Sequence, residues 1–153
     1  MPNTKLAKLL NDNGVQYVCE NHIETVTAQY TAEATHTKGK EMAKSVILLL
    51  DGTPAMFVVP SPLRIDQDSI RAEMGASEVR MVDEGELADL FPDCETGAMP
   101  PFGNLYGMEV YVHEDLAEDD RIAFNAGSHH EIIRLSYDDF ESLVHPTVGD
   151  YTT

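Results

Sequence analysis

Two apolar runs on either side of Asp51-Gly52 are the feature that most constrains the fold of this chain. The runs are Ser45–Leu50 and Ala55–Val59, and each has the length and composition of a β-strand. An Asp-Gly pair between two such runs favours a tight hairpin turn, because both residues tolerate the positive φ angles that this turn requires. Pro60-Ser61-Pro62 then ends the second run. The sequence therefore predicts an antiparallel pair of strands over residues 45–59.

Capping signals and hydrophobic periodicity predict further elements on both sides of this hairpin. Several predicted strands are joined by tight turns, whereas others are separated by helices. This mixture favours a single α+β domain over residues 1–153, with a mixed, largely antiparallel sheet, rather than a doubly wound parallel one. Residues 145–153 are expected to form a frayed tail. The predicted helices are Thr4–Asp12, Thr27–His36, Asp66–Met74, Asp83–Leu90 and Tyr137–Val144, and the further strands are Val15–Glu20, Val79–Val82, Met108–His113, Arg121–Asn125 and Glu131–Leu135.

Charge is the second constraint, and it bears on the partners of the protein. The 153 residues include 27 acidic and 10 basic side chains, a formal net charge of −17. This charge excludes a protein that binds duplex DNA or RNA through a broad basic face, and one held on an anionic membrane by basic residues. All five lysines nevertheless lie within residues 1–44, and three of them cluster at Lys38, Lys40 and Lys44. Such a spot can hold one phosphate, because the field in a cleft depends on the closest charges; an ordinary solvated loop is the alternative.

Several functional classes are excluded by missing motifs. Cys19 and Cys94 form no CxxC motif, which indicates free thiols in a reducing compartment. The N-terminus lacks the apolar core of a signal peptide, and the longest apolar run, Val46–Leu50, is too short to span a bilayer. We therefore expect a cytoplasmic protein that does not act on membranes. The six histidines show no metal-ligand spacing, and no nucleotide-binding glycine loop or G-x-S-x-G motif occurs, so neither a metal nor a cofactor is expected.

The segment Gly97–Gly103 is the strongest candidate for chemistry. It reads Gly-Ala-Met-Pro-Pro-Phe-Gly. The terminal glycines allow positive φ or the close approach of a ligand to the backbone, and the two prolines stiffen the middle. Rigid backbone N–H groups suit an oxyanion hole or an ester carbonyl, because they need little reorganisation during reaction. A structural turn that closes the core is the alternative.

The order of these features resembles the YbaK / prolyl-tRNA-synthetase-associated editing domains over roughly residues 1–145. The most specific parts are the lysine of Ala43-Lys44-Ser45-Val46 and the loop Gly97-x-x-x-Pro101-Phe102-Gly103. The resemblance implies a curved or barrel-like sheet surrounded by helices. Supporting features in the same order are His22, Thr27-Ala28-Gln29, the hairpin, Val110-Tyr111-Val112 and Phe124-x-x-Gly127.

The resemblance further implies a freestanding trans-editing aminoacyl-tRNA deacylase. Its partner would be the acceptor end of a mischarged tRNA, with an aminoacyl-tRNA synthetase as a further partner. Lys44 matches the lysine that holds the phosphate or polar groups of the terminal nucleotide, and Gly97, Ala98, Met99 and Pro101 match the loop that contacts the ester and positions the attacking water. Pro100 lacks an N–H that many relatives have there, so this loop offers one donor fewer. The expected substrate-binding residues are His22, Thr27, Tyr30, Lys38, Lys40, Phe102, Gly103, Gly127 and His129.

Two other functions are compatible with these residues. One is a non-catalytic module that binds a nucleotide, an aminoacyl ligand or a synthetase while keeping the fold. The other is an unrelated hydrolase of small esters. The presence of Lys44 together with the glycine loop favours catalysis, because a pure scaffold needs neither.

Overall fold

The computed structural model describes residues 4–21 and 41–153 of the chain. In this part, five α-helices and one 3-10 helix accompany eight β-strands. The predicted helix Thr27–His36 lies outside the described residues. The helices are α1 (Thr4–Asp12), α2 (Gln67–Met74), α3 (Glu84–Leu90), α4 (Glu114–Ala117) and α5 (Tyr137–Val144), with the 3-10 helix at Gly103–Tyr106; the strands are β1 (Tyr17–Asn21), β2 (Ala43–Leu50), β3 (Thr53–Pro60), β4 (Val79–Met81), β5 (Glu109–His113), β6 (Arg121–Asn125), β7 (Glu131–Ser136) and β8 (Thr147–Gly149).

The predicted hairpin is confirmed as the antiparallel pair of β2 and β3. Asp51 and Gly52 form its turn with positive φ angles of 50° and 86°. The Asp51 carboxylate also accepts hydrogen bonds from the N–H groups of Ser77 and Glu78, with N···O distances of 3.0 and 2.8 Å. The turn is thereby tied to the segment that leads into β4.

The strands form two sheets, as expected for an α+β domain. The larger sheet has the order β4-β2-β3-β5-β8, and the smaller has the order β1-β7-β6. Most neighbouring strands are antiparallel, whereas β5 is parallel to both β3 and β8. A parallel bridge between Met42 and Ala123 joins the two sheets where β2 begins. In the described residues the strands curve around the core without closing into a barrel.

The main core fills the space between the two sheets. Side chains alternate in β2, so that Ile47 faces this core while Leu48 faces the opposite side of the sheet. A smaller cluster around Phe57 and Ile70 covers that opposite side, beneath α2. In the main core, the ring of Phe102 packs against those of Phe124 and Phe140, with centroid distances of 5.6 and 5.5 Å.

The capping signals identified in the sequence are confirmed where the structure describes them. The Asp66 carboxylate accepts from the N–H of Ser69 at the start of α2, and Gly75 ends that helix in the left-handed conformation. Asp83 and Glu86 form a reciprocal capping box at the start of α3. Each cap satisfies backbone groups that a helix end would otherwise leave unpaired.

The prediction of a frayed tail over residues 145–153 is wrong. Residues Thr147–Gly149 form β8, which pairs with β5. Tyr151 is only 1% exposed and packs against the rings of Phe57 and Tyr111. Thr153 N–H donates to the Arg64 carbonyl at 3.1 Å. An aromatic anchor and backbone pairing hold the segment, and both come from residues distant in sequence.

Candidate functional site

Lys44 lies at the junction of the two sheets. It is the second residue of β2, pairs with Val59 across the hairpin and is half-buried. The Ser61 N–H donates to the Met42 carbonyl at 2.8 Å, which folds the segment after β3 back over the start of β2. Burial lowers the pKa of the Lys44 ammonium, and the positive charge of the nearby Arg64 lowers it further. Two cationic side chains therefore lie close together at this junction.

Asn125 is a buried polar residue on the Lys44 side of the junction. Met42 and Ala123 form a parallel bridge between two segments of the chain. Side chains alternate along a strand, so Lys44 and Asn125, each two residues further on, lie on the same face as the bridged pair. Asn125 is 5% exposed, and its Oδ1 has no hydrogen-bond partner within the described ranges. Sequence reasoning missed this residue. The only available signal was a polar side chain at the end of the otherwise apolar segment Ile122–Phe124.

The glycine loop is tied to the turn between β6 and β7 by backbone hydrogen bonds. Glu95 N–H donates to the Gly127 carbonyl at 2.8 Å, and Gly127 N–H donates to the Ala98 carbonyl at 2.9 Å. Gly97 and Gly127 both have positive φ, of 86° and 96°, which explains why glycine occupies both positions. Because Asn125 ends β6 two residues before Gly127, the loop lies next to the junction that carries Lys44.

Only some of the loop amides are free to bind a ligand. The Ala98 N–H donates to the Glu95 carbonyl at 3.0 Å and is therefore already occupied. Pro100 and Pro101 have no N–H. Among the described residues, none accepts a hydrogen bond from the N–H of Gly97 or of Met99. Within Gly97–Pro101, these two amides are the donors that remain for a ligand, and Gly97 is at the exposed end of the loop.

Phe102 and Gly103 fix the loop to the core. Phe102 is fully buried between Phe124 and Phe140. A Cβ on Gly103 would lie 3.0 Å from the Val110 side chain and 3.2 Å from that of Met56, so a larger residue does not fit without movement. The structure thus gives both residues a supporting role, and their contact with a substrate stays a prediction.

His129 packs against the outer end of the loop. Its Nε2–H donates to the Thr96 carbonyl at 2.8 Å, and its backbone N–H donates to the Glu95 carboxylate at 3.3 Å. A Cβ on Gly97 would lie 3.6 Å from the imidazole Cε1. In the neutral tautomer that donates from Nε2, Nδ1 is an acceptor, and this buried atom has no partner in the described part of the chain.

Five of the predicted site residues cannot be placed. His22, Thr27, Tyr30, Lys38 and Lys40 lie outside the described residues. Of the remaining predictions, Lys44, Gly97, Met99, Gly127 and His129 lie around the junction and the adjoining loop. The other four, Ala98, Pro101, Phe102 and Gly103, are buried.

The site offers donors and acceptors but no activated nucleophile among the described groups. Burial raises the pKa of the Cys94 thiol to about 11, which keeps it protonated at neutral pH. Within residues 4–21 and 41–153, no group of three or more His, Cys, Asp or Glu side chains could hold a metal ion, and no helix has the length and apolarity needed to cross a membrane. Two neighbouring cations, the free amides of Gly97 and Met99, and two acceptors without a partner in the described ranges suit the attack of water on an already activated carbonyl.

A family model for the aminoacyl-tRNA editing domain matches residues 20–143. No curated protein matches the sequence significantly.

Solved structures with the same fold cover nearly the whole chain. Hypothetical protein APE2540 has a TM-score of 0.86 at 18% identity, covering 97% of this chain and 99% of its own. A protein described as a candidate trans-editing enzyme for prolyl tRNA synthetase has a TM-score of 0.83 at 21% identity, covering 97% and 95%. A scaffold used for computational epitope grafting has a TM-score of 0.84 at 21% identity, covering 99% and 97%. At these identities the likeness concerns the fold.

Proposed function

Because the chain belongs to the aminoacyl-tRNA editing domain family, we propose that it is a freestanding trans-editing deacylase that hydrolyses the ester of a mischarged aminoacyl-tRNA. The observation that carries this proposal is the position of Lys44. A half-buried cation lies at the sheet junction, next to a loop with two unoccupied amides. A terminal nucleotide bears an anionic phosphate and an acyl ester side by side, and this arrangement offers a complement to both.

Lys44 holds the phosphate or polar groups of the terminal nucleotide in this proposal. Arg64 lies near enough to lower the pKa of Lys44, so an anion bound between them would relieve the repulsion of the two cations. Such an anion supplies the counter-charge that the described residues do not provide to either side chain. Lys38 and Lys40 are proposed to extend the same contact.

The ester carbonyl oxygen is held by the N–H groups of Gly97 and Met99. Attack by water turns this oxygen into an oxyanion, and donors fixed in place stabilise the developing charge without reorganisation. The leaving group is the ribose hydroxyl of the terminal adenosine. His129 Nδ1, which has no partner among the described residues, receives the proton that the water loses and returns it to the ribose oxygen as the carbon–oxygen bond to the ribose breaks.

The first experiment is deacylation of tRNAs charged with Ala, Cys, Ser, Thr or Pro by the wild type and by Lys44→Ala. We expect hydrolysis of one or two members and a loss of at least about 100-fold in kcat/KM in the variant. Lys8→Ala is the matched control, because Lys8 is an exposed lysine on α1 that pairs with Asp12. A thermal melt of each variant checks that the fold is intact.

The outcomes separate this proposal from its alternatives. Full activity in a folded Lys44→Ala protein would refute the role of Lys44. If none of the five aminoacyl-tRNAs is hydrolysed over a range of salt concentrations, a non-catalytic binding module becomes the better interpretation. Hydrolysis of simple esters without hydrolysis of charged tRNA would favour a small-molecule hydrolase.

A further inference from the structure

Asn125 occupies a position in the site that the proposed mechanism does not use. Along β6, Ile122 and Phe124 face the main core. Ala123 and Asn125 therefore face the other way, toward Met42 and Lys44. Asn125 thus lies on the same face as Lys44, two residues before Gly127, whose N–H donates to the glycine loop at the Ala98 carbonyl.

The Oδ1 of Asn125 lacks a hydrogen-bond donor in the described part of the chain. Asn125 is 5% exposed, so water has little access, and its Oδ1 accepts no hydrogen bond from residues 4–21 or 41–153. A buried acceptor without a donor destabilises the folded state, and native structures pair the great majority of such atoms. Among the described residues, the Oγ of Ser45 and the Oη of Tyr137 also lack a partner, but Ser45 alternates onto the core face of β2 and Tyr137 begins α5. Asn125 is the one that faces the Lys44 side.

The chemistry of the site indicates which donor Asn125 would receive. The amides of Gly97 and Met99 and the cations Lys44 and Arg64 can bind only acceptors, namely the ester carbonyl and the phosphate. The reacting complex also contains two hydrogen-bond donors. One is the attacking water, which loses a proton during the reaction, and the other is the α-amino group of the ester, which does not. The proposed mechanism gives the proton of the water to the imidazole of His129, whereas an amide oxygen can only accept a hydrogen bond.

We infer that Asn125 is a specificity-determining residue whose Oδ1 accepts a hydrogen bond from the α-amino group of the aminoacyl ester. This inference rests on the proposed function. It assigns the site the ability to distinguish an aminoacyl ester from an acyl ester that lacks the amine. An unpaired buried acceptor rejects a ligand that cannot supply a donor, because the acceptor then stays unpaired in the complex.

The first test measures stability and activity together in Asn125→Leu. The leucine has the same branching but no acceptor, so we expect a melting temperature equal to or above that of the wild type. We expect kcat/KM for the best aminoacyl-tRNA of the panel to fall roughly 10- to 100-fold, the loss of one hydrogen bond to a charged donor. A purely structural role for Asn125 would lower stability and activity together, and that result would overturn the inference. Asn125→Ala, which adds no bulk, replaces the leucine variant if the latter does not fold.

The second test uses the same tRNA carrying the acyl group without its amine, for example propionyl-tRNA beside alanyl-tRNA. The ratio of variant to wild-type kcat/KM is compared within each substrate, which cancels the different intrinsic reactivities of the two esters. Asn125→Leu should lower the ratio only for the aminoacyl ester, and Asn125→Asp, which keeps an acceptor, should preserve the preference for the amine. Equal losses on both esters would contradict the assignment.

A binding measurement separates failure of this inference from failure of the proposed function. The probes are 3′-alanylamino-3′-deoxyadenosine and its propionylamino counterpart, which are amide-linked and resist hydrolysis. Suppose that the wild type hydrolyses no charged tRNA but binds the alanylamino probe more tightly than the propionylamino probe, and that Asn125→Leu removes this difference. The proposed deacylase activity is then refuted, whereas the role of Asn125 is supported. If the two probes bind equally to the wild type, the role of Asn125 is refuted whatever the activity.

Discussion

Lys44 carries its charge in surroundings that oppose it. Burial and the neighbouring Arg64 both lower the pKa of the ammonium below its ordinary value of 10.5. The charged form of Lys44 therefore lowers the free energy of unfolding, because the ammonium binds its proton less tightly in the folded state than in the unfolded chain. The free protein tolerates this cost, and the proposed phosphate ligand would remove it.

This environment predicts how the stability of Lys44→Met depends on pH. Because the folded state has the lower pKa, the wild type gains stability as the pH rises from that lowered pKa toward 10.5. The variant should be at least as stable as the wild type at pH 7 and should lack the alkaline gain. Urea unfolding between pH 7 and pH 10.5 measures both effects.

Lys8→Met is a control of opposite sign for this measurement. The carboxylate of Asp12, 2.8 Å from the Lys8 ammonium, raises the pKa of Lys8. The stability that this pair contributes is present at neutral pH and is lost as the pH rises through the raised pKa.

A Lys44→Met protein that is less stable than the wild type at pH 7 would contradict the prediction made for Lys44, since it would mean that the charged lysine makes favourable native contacts.

Single residues of the site differ in how far the sequence reveals them. Gly97 and Lys44 stand out, one by its glycine and proline context and the other by its match to a family motif. Asn125 does not, because its meaning depends on a bridge between Met42 and Ala123, residues far apart in the chain. Arg64 is hidden for the same reason. It reaches Lys44 through the turn after β3, which no local pattern predicts.

At the scale of elements, the capping box of α3 makes a prediction about acid stability. Glu86 forms a two-pronged ion pair with Arg80, with N···O distances of 2.8 and 2.9 Å, and accepts from the Asp83 N–H. These contacts, the Arg80 pair above all, hold the pKa of Glu86 at about 2, below its ordinary 4.5. The carboxylate therefore stabilises the fold above about pH 4.5, and this contribution is lost as the pH falls toward 2.

Glu86→Gln should be less stable than the wild type at pH 6, and the difference should shrink as the pH falls from 4.5 to 2. Urea unfolding at several pH values measures it. Glu84→Gln is the matched control, because Glu84 lies in the same first turn but outside the capping box. A difference between wild type and Glu86→Gln that stays constant down to pH 2 would show that the carboxylate charge does not contribute.

Elements defined by local signals are those that the sequence predicts. Such signals lie in a few adjacent residues of the Asp51-Gly52 hairpin and of the capped helices α2, α3 and α5. The structure contains all four elements. β8 depends instead on pairing with β5, which lies more than 30 residues earlier in the chain. Its sequence, Thr-Val-Gly, is too short to show a period. Parallel pairing of this kind brings together distant segments and therefore leaves no local trace.

At the scale of the whole molecule, the C-terminal segment joins the larger sheet to the neighbourhood of the site. Tyr151 packs 5.2 Å from the Phe57 ring, and its hydroxyl donates to the Thr147 carbonyl at 3.0 Å. Asp66 N–H donates to the Tyr151 carbonyl, and Thr153 N–H donates to that of Arg64. The segment therefore supports the backbone that presents Arg64 toward Lys44.

Removal of this anchor should destabilise the protein strongly. We expect Tyr151→Ala to lower the free energy of unfolding by about 3–5 kcal/mol, the usual cost of deleting a buried aromatic ring. Tyr151→Phe keeps the ring and loses one hydrogen bond, so its cost should be about 0.5–1.5 kcal/mol. Chemical denaturation of the three proteins measures both values. A Tyr151→Ala cost no larger than that of Tyr151→Phe would show that the segment is not anchored by the ring.

The net charge of −17 limits how a protein of this kind can contact tRNA. Arg71, Arg80 and Arg134 each pair with a carboxylate. In the described part of the chain, Lys5, Lys44, Arg64 and Arg121 form no such pair, and of these Lys44 and Arg64 lie close together at the sheet junction. Contact with tRNA phosphates should therefore be confined to these two cations and to the proposed Lys38 and Lys40, while the acidic remainder repels the rest of the polyanion.

This confinement predicts a shallow dependence of tRNA binding on salt. Four cations on a single-stranded acceptor end give a slope of log K against log salt of at most about −3, since each neutralised phosphate contributes about −0.7. A hairpin containing only the acceptor stem and its single-stranded end should bind with the same slope as the full tRNA. Arg64→Gln should reduce the magnitude of the slope by about 0.7, whereas Arg71→Gln, which removes an arginine already paired with Asp68, should leave it unchanged. A slope steeper than about −5 with full tRNA but not with the hairpin would show a second, extended contact and would refute the confinement.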